Sequence, residues 1–160
     1  MLQHHAIGPC LVKFGVADSE ADLGYTADGV NIAVNIKTID VPSDDFGGAA
    51  GGPSDVQAVG FEATVTCDFT KHDKAQIDAA LSGVGGTAGV APELGAFMRQ
   101  DNKTGQLFLD GVAADYKFPV SYVTNAGFNN ATKYTTYRVQ FRCLMADAAT
   151  RRLLEIIDAP

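Results

Sequence analysis

Tryptophan is absent from the 160 residues, and cysteine and histidine are scarce, with three of each. Cys10, Cys67 and Cys143 are odd in number, far apart, and each falls in a predicted strand. A disulfide framework is therefore not expected, and buried reduced thiols are. His4, His5 and His72 have no Cys or carboxylate at ligand spacing beside them, which argues against a zinc site. No apolar run approaches the length of a membrane span. Positive charge is in deficit too: 12 Lys+Arg stand against 19 Asp+Glu, for a net −7. Without a basic patch, tight binding to nucleic-acid phosphates is not expected. Met1–His5 lacks a basic stretch followed by an apolar core, so no signal peptide is expected. Without one, the sequons Asn102-Lys103-Thr104 and Asn130-Ala131-Thr132 read as turns.

Constellations that carry chemistry are missing as well. None of Ser19, Ser43, Ser54, Ser82 and Ser121 sits in a nucleophile-elbow context. Asp101–Gly105 resembles the start of a calcium loop, but Lys103 stands where an oxygen ligand is required. Gly83–Gly89 is glycine-rich, yet it follows a predicted helix and lacks the Gly-Lys-Ser/Thr ending of a phosphate loop. Adjacent Asp44 and Asp45 in a glycine-rich loop read as solvated charge. The chain is therefore read as a non-enzyme with no cofactor and no metal.

What is present is hydrophobic alternation. Hydrophobic residues make up 46% and charged residues 19%, the balance of a globular chain, and the length suits one domain over 1–160. Leu23–Gly48 is the organising stretch. Asp28-Gly29 reads as a two-residue hairpin turn, because Asp-Gly supplies positive φ. Val30, Ile32, Val34 and Ile36 then alternate with Asn31, Asn35 and Lys37, the pattern of a strand buried on one side. On that reading Val34→Asp buries an unpaired charge and unfolds the chain. Val59, Phe61, Ala63, Val65 and Cys67 alternate with Glu62, Thr64, Thr66 and Asp68 in a second strand.

Further along, the period changes. Thr70 to Asp73 reads as a helix N-cap, Ile77, Ala80 and Leu81 as one stripe, and Gly83 as the stop, so a helix is predicted over about 71–82. Short strands are predicted at 9–14, 106–109 and 117–124, the last with Phe118, Val120 and Tyr122 on one side. Asp18, Glu20 and Asp22 read as an acidic connector. Residues 133–144 form the longest predicted strand. Thr135, Tyr137, Val139, Phe141 and Cys143 face one way; Tyr134, Thr136, Arg138, Gln140 and Arg142 face the other. Residues 148–158 lean to a terminal helix. The fold class is mainly β: an antiparallel β-sandwich or partly closed barrel with one flanking α-helix. Residues 1–8 read as a flexible arm or frayed end. The glycine-rich loop 42–55 reads as a mobile hairpin tip or a segment that orders against another subunit.

The polar rows admit two readings: an ordinary solvent face, or a wall lining a water-filled channel. Asn31, Asn35, Glu62, Thr64 and Thr66 are the candidate channel positions. Asp44, Asp45, Phe46, Gly47 and Gly48 are the candidate subunit-interface loop.

Gly8-Pro9 with Lys13-Phe14-Gly15, Leu23-Gly24-Tyr25-Thr26 with Asp28-Gly29-Val30, and Asp40-Val41 with Asp44 and Phe46-Gly47 resemble the N-terminal half of small structural proteins of tailed phages. Tail tube subunits are the nearest kind, and the resemblance covers residues 8–68. It implies a β-sandwich subunit that self-assembles into stacked hexameric rings. DNA would pass through the lumen without specific binding, over an acidic or neutral wall. Other tail or neck proteins are the implied partners, and the virion, assembled in the host cytoplasm, the implied location. A capsid decoration or head–tail joining protein is the alternative, and a β-barrel ligand binder or enzyme ranks below both.

Overall fold

The structure is a computed structural model, and it describes residues 9–42, 47, 50–84, 97–112, 114–130, 135–147, 149, 150 and 152–158. Seven strands and one helix make up its regular structure: β1 (Leu11–Val16), β2 (Ser19–Val41), β3 (Asp55–His72), α1 (Lys74–Leu81), β4 (Gly105–Asp110), β5 (Ala114–Asn130), β6 (Thr135–Leu144) and β7 (Glu155–Asp158). All pairings are antiparallel, in the order β4-β1-β2-β3-β6-β5-β7, and β4 also pairs with β5. The strands belong to one sheet that curls until β4 bridges β1 and β5, rather than to two stacked sheets.

That closure covers only part of the long strands. β1 pairs with β2 no further than Tyr25, and β4 pairs with β5 no further than Ser121. Beyond those points four strands continue side by side, β2-β3-β6-β5. β2 and β3 run on past the ends of β6 as a two-stranded arm, from Lys37–Gly60 to Val41–Asp55.

The core fills the inside of the curl. Val12 and Phe14 of β1, Ala63, Val65, Cys67 and Phe69 of β3, Leu107 and Leu109 of β4, Phe118 of β5, and Val139, Phe141 and Cys143 of β6 are buried together. Each set is spaced by two, so strand alternation alone delivers it to one side. α1 adds Ile77 and Ala80. The three cysteines are buried free thiols.

Several sequence expectations need correction. Asp28-Gly29 is not a hairpin turn: β2 runs through it as one strand, with a bulge between Thr26 and Val30. Three residues, Ala27 to Gly29, oppose the single Asp68, and Gly29 takes φ 83°. Positive φ serves a bulge as well as a turn, so Asp-Gly marked the irregularity but not its kind. The hairpin turn lies earlier, where Val16 pairs with Ser19 and Asp18 takes φ 63°. Glu20 and Asp22 thus belong to β2 rather than to a connector.

The helix begins at Lys74, not Lys71, because β3 continues to His72. Its cap is Asp73, whose carboxylate accepts from the Ala75 and Gln76 amides at 3.0 and 3.3 Å. Thr70 instead donates its hydroxyl to the Tyr25 carbonyl at 3.3 Å. Gly83 follows the helix with φ 87°, as expected.

In β5, Phe118 points inward, but Ser121 and Val123 are the next buried residues; Val120 and Tyr122 lie opposite them. The ladder to β4 shifts register there, at Pro119. A proline has no N–H to give, and a bulge absorbs that. Residues 155–158 are strand β7 on β5, not helix.

Candidate functional site: a polar wall on β2-β3-β6-β5

The outward faces of the four continuing strands form one surface. Asn31 pairs with Thr66, Ala33 with Thr64 and Asn35 with Glu62 across β2 and β3. Thr66 pairs with Gln140 and Thr64 with Arg142 across β3 and β6, and Gln140 and Arg142 pair with Asn125 and Tyr122 of β5. Directly paired residues share a face. The candidate channel positions Asn31, Asn35, Glu62, Thr64 and Thr66 are thus brought together on one wall, backed by the core side of Val65, Cys67, Val139 and Phe141.

The wall's charges are paired, and sequence reasoning did not find the pairs. Glu62 accepts from Arg142 Nε at 2.9 Å and lies 3.1 Å from Lys37 Nζ, so one carboxylate holds a cation from each flanking strand. Arg142 also reaches the Tyr122 hydroxyl at 3.4 Å. At the other end of the wall Arg138 grips Asp68 with both prongs, at 2.7 and 2.9 Å. These two clusters flank a middle of hydroxyls and amides. Hydrogen bonds from Arg142 and then Lys37 hold the Glu62 carboxyl below its ordinary value of 4.5. The sequence did place Lys37, Asp68, Arg138 and Arg142 on polar rows. Glu62 and Arg142 are 80 residues apart, however, so only the strand order reveals the contact.

The ion-paired set of the wall is not acidic, though Asp28 lines the same hollow as Asn31, Thr66, Asp68 and Arg138. The set holds three cations, Lys37, Arg138 and Arg142, against two carboxylates, Glu62 and Asp68. The net −7 of the chain therefore resides outside that set.

The arm is the second unusual surface. Ile39, Val41, Val56 and Val59 are exposed along it, and Val34 and Ile36 are exposed on β2 just before it. Val34 and Ile36 were expected in the core; they sit past the reach of β1, so nothing in the described chain covers them. Of the candidate interface loop only Gly47 is described, in a turn with φ 90°; Asp44, Asp45, Phe46 and Gly48 lie outside the described residues. Among the described residues there is no cluster of three or more His, Cys, Asp or Glu arranged for a metal, and no helix is long and apolar enough to cross a membrane.

No family model and no curated protein matches the chain. Solved structures do. A chain in the tail of an empty gene transfer agent particle, a structure with C6 symmetry, is 12% identical with a TM-score of 0.50, covering 94% of this chain and 95% of that one. The fold is one found in a particle tail. A chain of the native gene transfer agent virion (11% identity, TM-score 0.47, 94% and 95% covered) is also similar. So is one of the sheath–tube complex of an extracellular contractile injection system in its extended state (10%, 0.47, 94% and 88%).

Proposed function

We propose that the protein is a structural subunit of a phage-type tail tube, one that assembles with its own copies into stacked hexameric rings around a channel. One observation carries the reading: the polar wall has two unpaired margins. Past Thr26, β2 has β3 on one side and no strand on the other; past Ser121, β5 has β6 on one side and none on the other, among the described residues. Unpaired margins are templates for a neighbour's strand. Joining the β2 margin of one copy to the β5 margin of the next makes a continuous sheet, with the Asn31–Glu62–Gln140 surface on one side of it throughout. Such a contact joins unlike surfaces, and repeated with the right rotation it closes a ring. The exposed apolar arm supplies a contact outside that sheet, suited to a copy above or below. The C6 tail particle with the same fold supports the number six. On this reading DNA passes the wall without being held, other tail or neck proteins meet the ends of the tube, and the protein resides in the virion after assembly in the host cytoplasm. No step of this work needs an enzyme.

Negative-stain micrographs of the purified chain at high concentration, with mass measured in solution, test the reading. Rings or tubes with six-fold end views are expected. A strict monomer at every concentration overturns it. Binding to empty capsid shells without self-stacking replaces it with a decoration or joining role.

A further inference from the structure

Three cations in one surface would ordinarily attract a polyanion, since each Lys or Arg that neutralises a phosphate releases a counterion. On this wall none of the three stands alone. Arg138 has both guanidinium prongs on Asp68, while Arg142 and Lys37 converge on Glu62 from opposite sides. Arg138 and Arg142 are four residues apart on one strand and face the same way, so their Cα atoms are separated by roughly 13 Å. Lys37 lies two strands away from Arg142, in β2, with β3 between them.

We propose that Glu62 and Asp68 act as masks: they occupy the guanidinium and ammonium donors of a latent polyanion-binding row, Lys37–Arg142–Arg138, and so keep the wall from gripping nucleic-acid phosphates. The proposal deepens the channel reading, and it assigns the non-adhesion of the wall to two carboxylates rather than to the acidity of the whole chain. A geometric detail favours masking over a purely structural role. The pairs are partly exposed: the Arg138 and Lys37 side chains are each 52% accessible. Exposed pairs contribute little to stability, because solvent screens them. The arginines are thus not needed to hold the sheet together, whereas their donors, if released, would face the solvent side of the wall.

The test is a binding titration of the purified chain against a fluorescent 30-base-pair DNA duplex, at low and at moderate salt. Wild type is expected not to bind. The variant Glu62→Gln with Asp68→Asn keeps side-chain shape and removes two negative charges. It should bind at least about tenfold more tightly than wild type, with an affinity that falls steeply as salt rises. Adding Arg138→Gln and Arg142→Gln to that variant should abolish binding again. Circular dichroism confirms that each variant is folded. The masking role is overturned if wild type binds as well as the double variant, if the folded double variant fails to bind, or if the quadruple variant binds undiminished. Its failure is separate from that of the channel reading: binding is measured on the subunit, tube formation in micrographs. A double variant that binds DNA in a chain that never forms tubes retains the masking and removes the channel.

Discussion

Val34 pairs with Ala63 across the β2–β3 ladder, yet Val34 is 51% exposed while Ala63 is 0%. Ala63 has β6 beyond it, where it meets Cys143; Val34 has no strand beyond it among the described residues. The alternation that fills the core on β3 therefore continues on β2 into an exposed apolar surface.

Val34→Asp is accordingly expected to fold. Its melting free energy should fall by about 1 kcal/mol or less, the scale of an exposed strand substitution. Assembly, read by micrographs or sedimentation, should be lost. An unfolded variant would show that the β2 face is core.

Gly24→Ala should be costly. A Cβ at position 24 would lie 2.3 Å from the Lys71 carbonyl oxygen and 2.8 Å from the His72 Cα, both backbone atoms that yield only if β3 moves. A loss of about 1–3 kcal/mol or more is expected in chemical denaturation. A neutral result would mean that the end of β3 is not pressed against β2.

Asp73→Ala should cost about 1 kcal/mol, because two amides of the first helical turn lose their acceptor. Thr70→Ala should cost less, since Thr70 makes one exposed hydrogen bond to a strand carbonyl. The reverse order in thermal melts would return the cap to Thr70.

Burial pushes the Cys10 and Cys143 thiols up to about 12, from an ordinary 9.0. Folded protein at pH 8 should therefore react with a thiol reagent far more slowly than protein in denaturant. The sign for stability follows. The unfolded thiols ionise near pH 9 while the folded ones stay protonated, so stability is fully present below pH 9 and declines as pH rises towards 12. Denaturation midpoints measured from pH 8 to 11 check this, with Cys143→Ser as the comparison.

Glu62 titrates the other way. Its folded value lies below 4.5 because Arg142 and Lys37 hydrogen-bond to the charged form, and Tyr122 faces Arg142 from β5. The pairing is intact above pH 4.5 and is lost as pH falls through the lowered value. A carboxyl-detected NMR titration should find the Glu62 midpoint below 4.5, moving up in Arg142→Gln. A midpoint at or above 4.5 would show that the pairs do not form in solution.

Much of the fold was legible wherever one strand is half buried throughout its length. Val65 and Cys67 on β3, and Val139 and Phe141 on β6, announce their inward side by alternation, and the structure buries them fully. Legibility ended where a neighbour decides. Leu153, Leu154, Ile156 and Ile157 fit a helix or a strand equally, and β7 is specified only by its ladder to Ala114–Lys117. The candidate wall was visible as polar rows, but the match of Asp68 to Arg138 depends on strand order and register, which no local pattern encodes. Val34 and Ile36 were misassigned for a related reason: periodicity reports which side is apolar, and what covers that side is a separate matter.

The bridging of β1 and β5 by β4 has a consequence for biosynthesis. A newly made copy can satisfy its closed half alone, with Ser121 sealing the seam through its hydrogen bond to the Gly105 carbonyl. Only the open half is left sticky. If copies assemble as proposed, their contacts are then confined to two narrow margins and one arm.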